Sequence, residues 1–169
     1  MKTKVFAFIA GLFSKKILII LVAALPIFEL RLAIPLGIIN FNLPVLEVYF
    51  LSLIGNLLPV LPLLLFFKYF FHRLENLKFI GKLFSWWFIR VERKSKIVDK
   101  WGFWGLVLFV SIPLPITGAW TGTVAATLFG MKTKKAALAI VIGVSLAGVV
   151  VGALSLLCAD FIRGWLTFI

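Results

Sequence analysis

Apolar positions in this chain run in long blocks instead of alternating with polar ones, and the blocks predict helices that cross or enter a bilayer. A hydrocarbon slab about 30 Å thick asks for roughly 20 consecutive apolar residues per helix. Residues 51–67, extended upstream through Val45, and residues 136–159 meet that demand. Two further blocks are apolar but interrupted. Residues 17–39 carry Pro26, Glu29, Arg31, Pro35 and Gly37 at what would be membrane depth. Residues 101–131 are too long for one straight crossing and have basic residues at both ends, so the chain should enter and leave on one side. The turn is expected at Pro113-Leu114-Pro115-Ile116-Thr117-Gly118, because proline lacks the donor a helix interior needs and glycine tolerates the required dihedrals.

Paired in order, a broken block and a span occur twice: 17–39 with 45–67, then 101–131 with 136–159. The fold class expected is an all-α integral membrane protein, an inverted repeat of re-entrant helical hairpin plus transmembrane helix. Non-helical backbone at membrane depth survives only where it is buried in protein or lines a watery cavity, so the broken blocks imply an interior site. Strict inversion makes residues 17–39 a hairpin and leaves Lys2, Lys4, Lys15 and Lys16 on the unfavoured side; a full crossing keeps them cytoplasmic at the expense of symmetry. The inverted hairpin is the favoured reading. Between the halves, Leu77, Ile80, Leu83, Phe84, Trp87 and Phe88 recur at helical spacing and predict an interfacial amphipathic helix on anionic lipid. The whole of 1–169 reads as one membrane domain: 1–67 as the first half, 68–100 as a basic connector, and 101–169 as the second half.

Composition strengthens this picture. Hydrophobic residues make up 63% of the chain, more than a water-soluble core of this size could hide. The net charge of +12 suggests a nucleic-acid partner only until its distribution is considered. Most of the excess lies between Lys68 and Lys100, with a second patch at Lys132, Lys134 and Lys135, in short connections beside apolar runs. That is the positive-inside pattern, so both patches are expected to be cytoplasmic in a multi-pass cell-membrane protein, with no nucleic acid bound. The apolar run after the N-terminal lysines lacks a small-residue cleavage site, so it is expected to stay in the mature protein. A lone Cys158 excludes an intramolecular disulfide and a cysteine-based zinc cluster. With one His, at position 72, and scattered carboxylates, neither a metal centre, a cofactor site nor a catalytic triad can be assembled. An enzyme is not expected.

Few residues remain that carry chemistry. Glu29 and Arg31 are ionisable at membrane depth, a placement whose default reading is a substrate or proton pathway; the bland alternative is a loop pair near the headgroups. Their spacing does not make them neighbours on a regular helix, though a local break would bring both to one cavity. Glu29 is suited to exchange a proton, and Arg31 to hold a phosphate or carboxylate. Asn56, beside Gly55, reads either as a site member or as an interhelical hydrogen bond, the latter being the commoner case. Around the second turn, Pro113, Pro115, Thr117, Gly118, Trp120 and Thr121 supply hydroxyls, freed backbone groups and an indole donor, and the returning helix would aim its positive dipole end at an anion. The same residues also suit a purely structural hairpin. Gly143, Ala147, Gly148 and Gly152 form a small-residue face on the last span, suited to internal packing or to a homodimer. Pro59 and Pro62 are expected to kink the first span.

Glu29-Leu30-Arg31-Leu32-Ala33-Ile34-Pro35, Gly55-Asn56, and Pro113-Leu114-Pro115-Ile116-Thr117-Gly118-Ala119-Trp120-Thr121-Gly122 together resemble the small multi-drug export proteins. That family looks distantly related to the DedA membrane proteins, which include lipid scramblases and transporters. Ile116 departs from the pattern, standing where a small residue, often glycine, is usual. The resemblance implies two re-entrant hairpins, each packed with a transmembrane helix, and a transport function on an amphipathic substrate such as a lipid phosphate or a drug-like molecule. No nucleotide-binding loop is present, so uphill work must draw on an ion gradient. The leading expectation is a proton-coupled secondary exporter or flippase, with Glu29 as proton carrier and Arg31 plus the 117–121 turn as headgroup site. Passive phospholipid scrambling and a scaffold role in membrane assembly are the alternatives, and membrane lipids are the expected surroundings of all three.

Overall fold

The computed structural model describes residues 14–75, 91, 95–114 and 117–166, and no β-strand occurs among them. The helices are α1 (Lys15–Ala24), α2 (Glu29–Pro35), a π-helical turn (Leu36–Asn40), α3 (Val45–Leu57), α4 (Val60–Glu75), α5 (Lys96–Ser111), α6 (Ala119–Leu128) and α7 (Thr133–Leu166). They gather into two compact units, residues 1–56 with 148–169 and residues 57–147. The amphipathic segment expected at 77–88, the N-terminal lysines 2 and 4, and Pro115 lie outside the described residues.

In the first unit, Ser14 caps α1 by accepting from the Ile17 amide at 3.4 Å. The helix stops at Leu25, which is extended because the ring of Pro26 crowds the residue before it out of the helical region. After the turn at 25–28 the chain doubles back. A Cβ on Gly37 would sit 3.0 Å from Ile19 Cδ1 and 2.6 Å from Val48 Cγ1, so the returning arm lies against both α1 and α3. Pro35 supplies no amide hydrogen, and the following turn widens so that the Phe41 amide donates to the Leu36 carbonyl, five residues back, at 3.1 Å. Helix α3 runs parallel to α1: Lys16 pairs with Glu47 at one end. At the other end Gly55 meets Ile20 and Ala23. Gly148 of α7 packs against the Tyr49 ring and Ile34.

The second unit is organised around α6. Helix α5 is interrupted at Gly102, whose φ of 54° and ψ of −119° are not helical. In a straight helix residues 97 and 105 would be about 12 Å apart. Here a Cβ on Gly105 would collide with the Ile97 carbonyl, so the chain turns sharply at Gly102 and 96–101 folds back on the arm that follows. That arm ends at Ser111, and α6 returns along it with Gly122 against Val110 and Leu106. Residues 121–126 are buried all round, as expected for a central helix lacking a polar face. Helices α4 and α5 pack on it, with Ile140 of α7 close to Gly122.

The two predicted spans are present as helices long and apolar enough to cross a bilayer, Val45–Phe67 and Thr133–Cys158, 23 and 26 residues respectively. The first is broken at 58–59 where Pro59 removes an amide donor, so the expected kink is a short turn between α3 and α4. Protein covers only 33% of the first span and 39% of the second, whereas a soluble core helix would be mostly covered. Leu46, Phe50 and Ile54 on α3 form an exposed apolar row, and Leu58, Leu61 and Leu65 in the second unit are exposed as well, which is compatible with a bilayer setting.

Candidate functional site

In the first unit the doubling-back places polar groups inside and apolar groups outside. Glu29 opens α2 and is only 6% exposed, while Ile27 in the turn before it is 83% exposed. The Glu29 backbone has φ +50°, the left-handed region that a residue with a side chain enters at a cost of about 1–2 kcal/mol. Its amide remains bonded to the Leu25 carbonyl at 3.0 Å. This break from helical geometry turns the Glu29 carboxylate toward its own helix, where Oε2 lies 3.6 Å from Nη2 of Arg31. The sequence expectation is that a local break brings both residues to one cavity; the structure shows the left-handed residue and the ion pair beside it. Arg31 keeps 27% of its side chain accessible against 8% for Glu29, so the guanidinium is the more open end of the pair.

Two buried polar atoms on α3 have no hydrogen-bond partner, Ser52 Oγ and Asn56 Oδ1. They lie one turn apart on the buried face formed with Val48 and Gly55. Serine and threonine hydroxyls in helices ordinarily satisfy themselves on the carbonyl three or four residues back. Ser95, Ser145, Ser155, Thr123 and Thr127 all do so in this protein. Ser52 does not, although it is fully buried. Register relates these atoms to the ion pair. Glu29 precedes Gly37 by eight residues and Asn56 follows Val48 by eight, and Gly37 faces Val48 between antiparallel helices. At 1.5 Å per residue both lie about 12 Å from that crossing, at the same height in the unit. The first unit therefore holds a carboxylate, a guanidinium and the unpaired Asn56 Oδ1 at the end where its hairpin turns, with the unpaired Ser52 Oγ one turn nearer the crossing.

In the second unit the turn at 112–118 is tied by one side chain. Thr117 Oγ1 accepts from the Leu114 amide at 3.1 Å, and its single proton is shared between the carbonyls of Ile112 and Leu114, the latter at 2.7 Å. Gly118, at φ 148° and ψ −169°, occupies a region that is essentially glycine's alone and starts α6 with no side-chain cap. The Thr121 hydroxyl reaches back to the Gly118 carbonyl at 3.3 Å, and Trp120 is half-buried. Pro113 sits half-buried at the entrance to the turn. Thr117, Gly118, Trp120 and Thr121 thus lie at one turn, with Thr117 committed to holding it.

Sequence reasoning missed Ser52, which carries no mark in the sequence that sets it apart from a helix serine bonded to its own turn. It also missed the sharp turn at Gly102. The small-residue face on the last span is used within the chain: Gly143 abuts Val110 and the Val107 carbonyl, and Gly148 abuts Tyr49, while nothing lies within 4 Å of a Cβ on Gly152.

Comparison with known proteins gives one family. A family model described as "Putative small multi-drug export protein" matches residues 29–150. No curated protein matches the chain, and no solved structure does.

Proposed function

We propose, from the premise that this chain belongs to the small multi-drug export family, that it is a membrane-embedded secondary transporter for amphipathic substrates. The observation that carries the reading is the pairing of buried Glu29 with Arg31 at the height of the unpaired Asn56 Oδ1, with the unpaired Ser52 Oγ one turn below it. Ionisable and unsatisfied polar groups are expensive inside a membrane protein, and a translocation site is the use that compensates the expense. The apolar outer faces of both spans support the bilayer placement. In this reading the helical hairpins at 15–40 and 103–128 are re-entrant and the halves form an inverted repeat, as in transporters that keep broken helices at the midplane. A distant kinship with the DedA proteins fits the same arrangement.

The ion pair gives the mechanism its sign. While Glu29 is ionised it occupies Arg31. Protonation neutralises the carboxyl and weakens its hold on the guanidinium, which raises the affinity of that side chain for an anionic headgroup, so such a headgroup travels with the proton. A cationic amphipath instead competes with the proton for the carboxylate, and exchange of the two exports it against an inward proton gradient. Export is the leading reading, and headgroup flipping uses the same residues in the other sense.

The test is reconstitution in proteoliposomes with an imposed pH gradient, following a cationic amphipathic dye and a fluorescent lipid phosphate. Wild-type protein moves one of them in a gradient-dependent manner, and Glu29→Gln abolishes that dependence. Movement that ignores the gradient in both proteins identifies passive scrambling. Normal gradient-driven transport by Glu29→Gln at every pH would overturn the role of Glu29.

A further inference from the structure

A cavity of about 350 Å³ opens at the base of the second unit, at the opposite end of its hairpin from the 112–118 turn. It is lined by Val98, Asp99, Gly102, Phe103, Phe129, Met131, Lys132 and Lys135. Three turns of chain create it. The reversal at Gly102 sets 98 and 99 beside the hairpin base, Gly130 at φ +62° ends α6, and α7 starts at Thr133 between the two lysines. Neither the ion pair at Glu29 nor the turn at Thr117 contributes to it.

The lining has two parts of different chemistry. Phe103, Phe129, Met131 and Val98 form an apolar wall, and the exposed ammonium groups of Lys132 and Lys135 outnumber the single carboxylate of Asp99. Trp101 and Trp104, 60% and 63% exposed, flank the turn at Gly102. Lysines 132 and 135 bracket the first residue of the span Thr133–Cys158. On the membrane placement proposed above, that position is the headgroup layer, where tryptophans anchor and where basic pockets between helices collect anionic lipid. The charge excess calls for an anion, and the apolar wall calls for one with a hydrocarbon attachment.

We propose that this cavity binds the phosphate headgroup of an anionic phospholipid, with Lys132 and Lys135 on the phosphodiester and the Phe103–Phe129 wall against its glycerol and upper acyl carbons. The site is peripheral to transport: it selects the lipid that borders the second hairpin. Asp99 faces the same cavity and weakens the binding, which makes the sign of its substitution diagnostic.

The experiment uses the full chain in nanodiscs of phosphatidylcholine titrated with phosphatidylglycerol, with bound lipid counted by native mass spectrometry after release. Insertion into the discs is scored separately, so that failure of the membrane placement is distinguishable from failure of the site. A lysine near a membrane surface contributes roughly a five-fold preference for anionic lipid, so Lys132→Gln with Lys135→Gln is expected to weaken phosphatidylglycerol binding about thirty-fold. Lys134→Gln removes an equal charge that does not line the cavity and should change binding less than two-fold. Asp99→Asn should strengthen it. Equal losses from Lys134→Gln and from either cavity lysine would mean diffuse surface charge and overturn the site. Competition by inorganic phosphate at the same concentrations as the lipid would overturn the lipid assignment in favour of a small-anion site.

Discussion

Removing polar atoms from the middle of this protein should stabilise it. A buried polar group without a partner costs about 1–3 kcal/mol, and replacing it by an apolar group of similar shape recovers that cost. Ser52 Oγ and Asn56 Oδ1 are such atoms, in residues 0% and 1% exposed. Ser52→Ala removes only the hydroxyl, whereas Asn56→Leu keeps the branching of the amide but adds bulk that the packed site must admit. Ser52→Ala is expected to raise stability by about 1 kcal/mol or more, and Asn56→Leu to gain less, because overpacking offsets about 1–3 kcal/mol. For a chain of this size that corresponds to a rise in Tm of roughly 2–4 °C per kcal/mol. The two sites are one turn apart, so the double variant should gain less or more than the sum of the two. Ser155→Ala is the control, because its hydroxyl is buried and satisfied on the Val151 carbonyl at 2.7 Å. That substitution should leave Tm unchanged or lower it. The assay is thermal unfolding of the purified protein in detergent, alongside transport in proteoliposomes, where Ser52→Ala and Asn56→Leu should lose activity at least as far as the cost argument implies, about tenfold. The reasoning is refuted if Ser52→Ala lowers Tm as Ser155→Ala does while transport continues, because Ser52 would then be an ordinary paired residue.

Three further outcomes follow from the geometry. Gly55→Ala should cost about 2–3 kcal/mol, because the added Cβ meets the backbone of Ile20, whereas Gly152→Ala on the last span, with nothing within 4 Å, should stay within about 1 kcal/mol of wild type; paired unfolding curves in detergent check both. Glu29→Gly relieves the left-handed residue while removing the carboxyl, so its Tm should equal or exceed that of Glu29→Gln although both lose gradient-dependent transport. Thr117→Val removes the bonds that tie the 112–118 turn and should cost about 1–3 kcal/mol, with Thr117→Ser restoring most of it; a loss that serine does not rescue would assign the threonine methyl, not its hydroxyl, the structural part.

The large features were legible in the sequence because they depend on pattern. The two spans follow from apolar length, and the turn at 112–118 follows from Pro113 and Gly118, which each remove an option the helix needs. Pro26 and Pro35 marked the 17–39 block as broken, though not where α1 stops or that the turn after Pro35 widens. Other features depend on three-dimensional approach, which a linear pattern does not carry. Gly102 sits in an apolar run like any helical glycine, and only the collision that Gly105 would have with Ile97 reveals a reversal there. Ser52 looked like a routine helix serine, since nothing in the sequence distinguishes a hydroxyl that bonds its own turn from one that does not. Glu29 and Arg31 were found by charge alone, but the left-handed backbone that joins them was not.

In lipid no hydrophobic force draws one helix to another, so close backbone approach must hold a bundle together. That requirement explains why the glycines of the first unit lie where they do. Gly37 admits Val48, Gly55 admits the backbone of Ile20, and Gly148 admits the Tyr49 ring, so each of three helix contacts is made through a missing side chain. Ser52 Oγ and Asn56 Oδ1 lie among these close contacts without a hydrogen-bond partner, as packing that leaves little room to shift would require. A loosely packed unit would let those groups collapse onto a partner and would have no site to offer. Loosening the unit at Gly37 or Gly148 with alanine should therefore reduce transport even though neither residue is polar, and the loss should track the fall in Tm, unlike the loss from Ser52→Ala, which accompanies a rise.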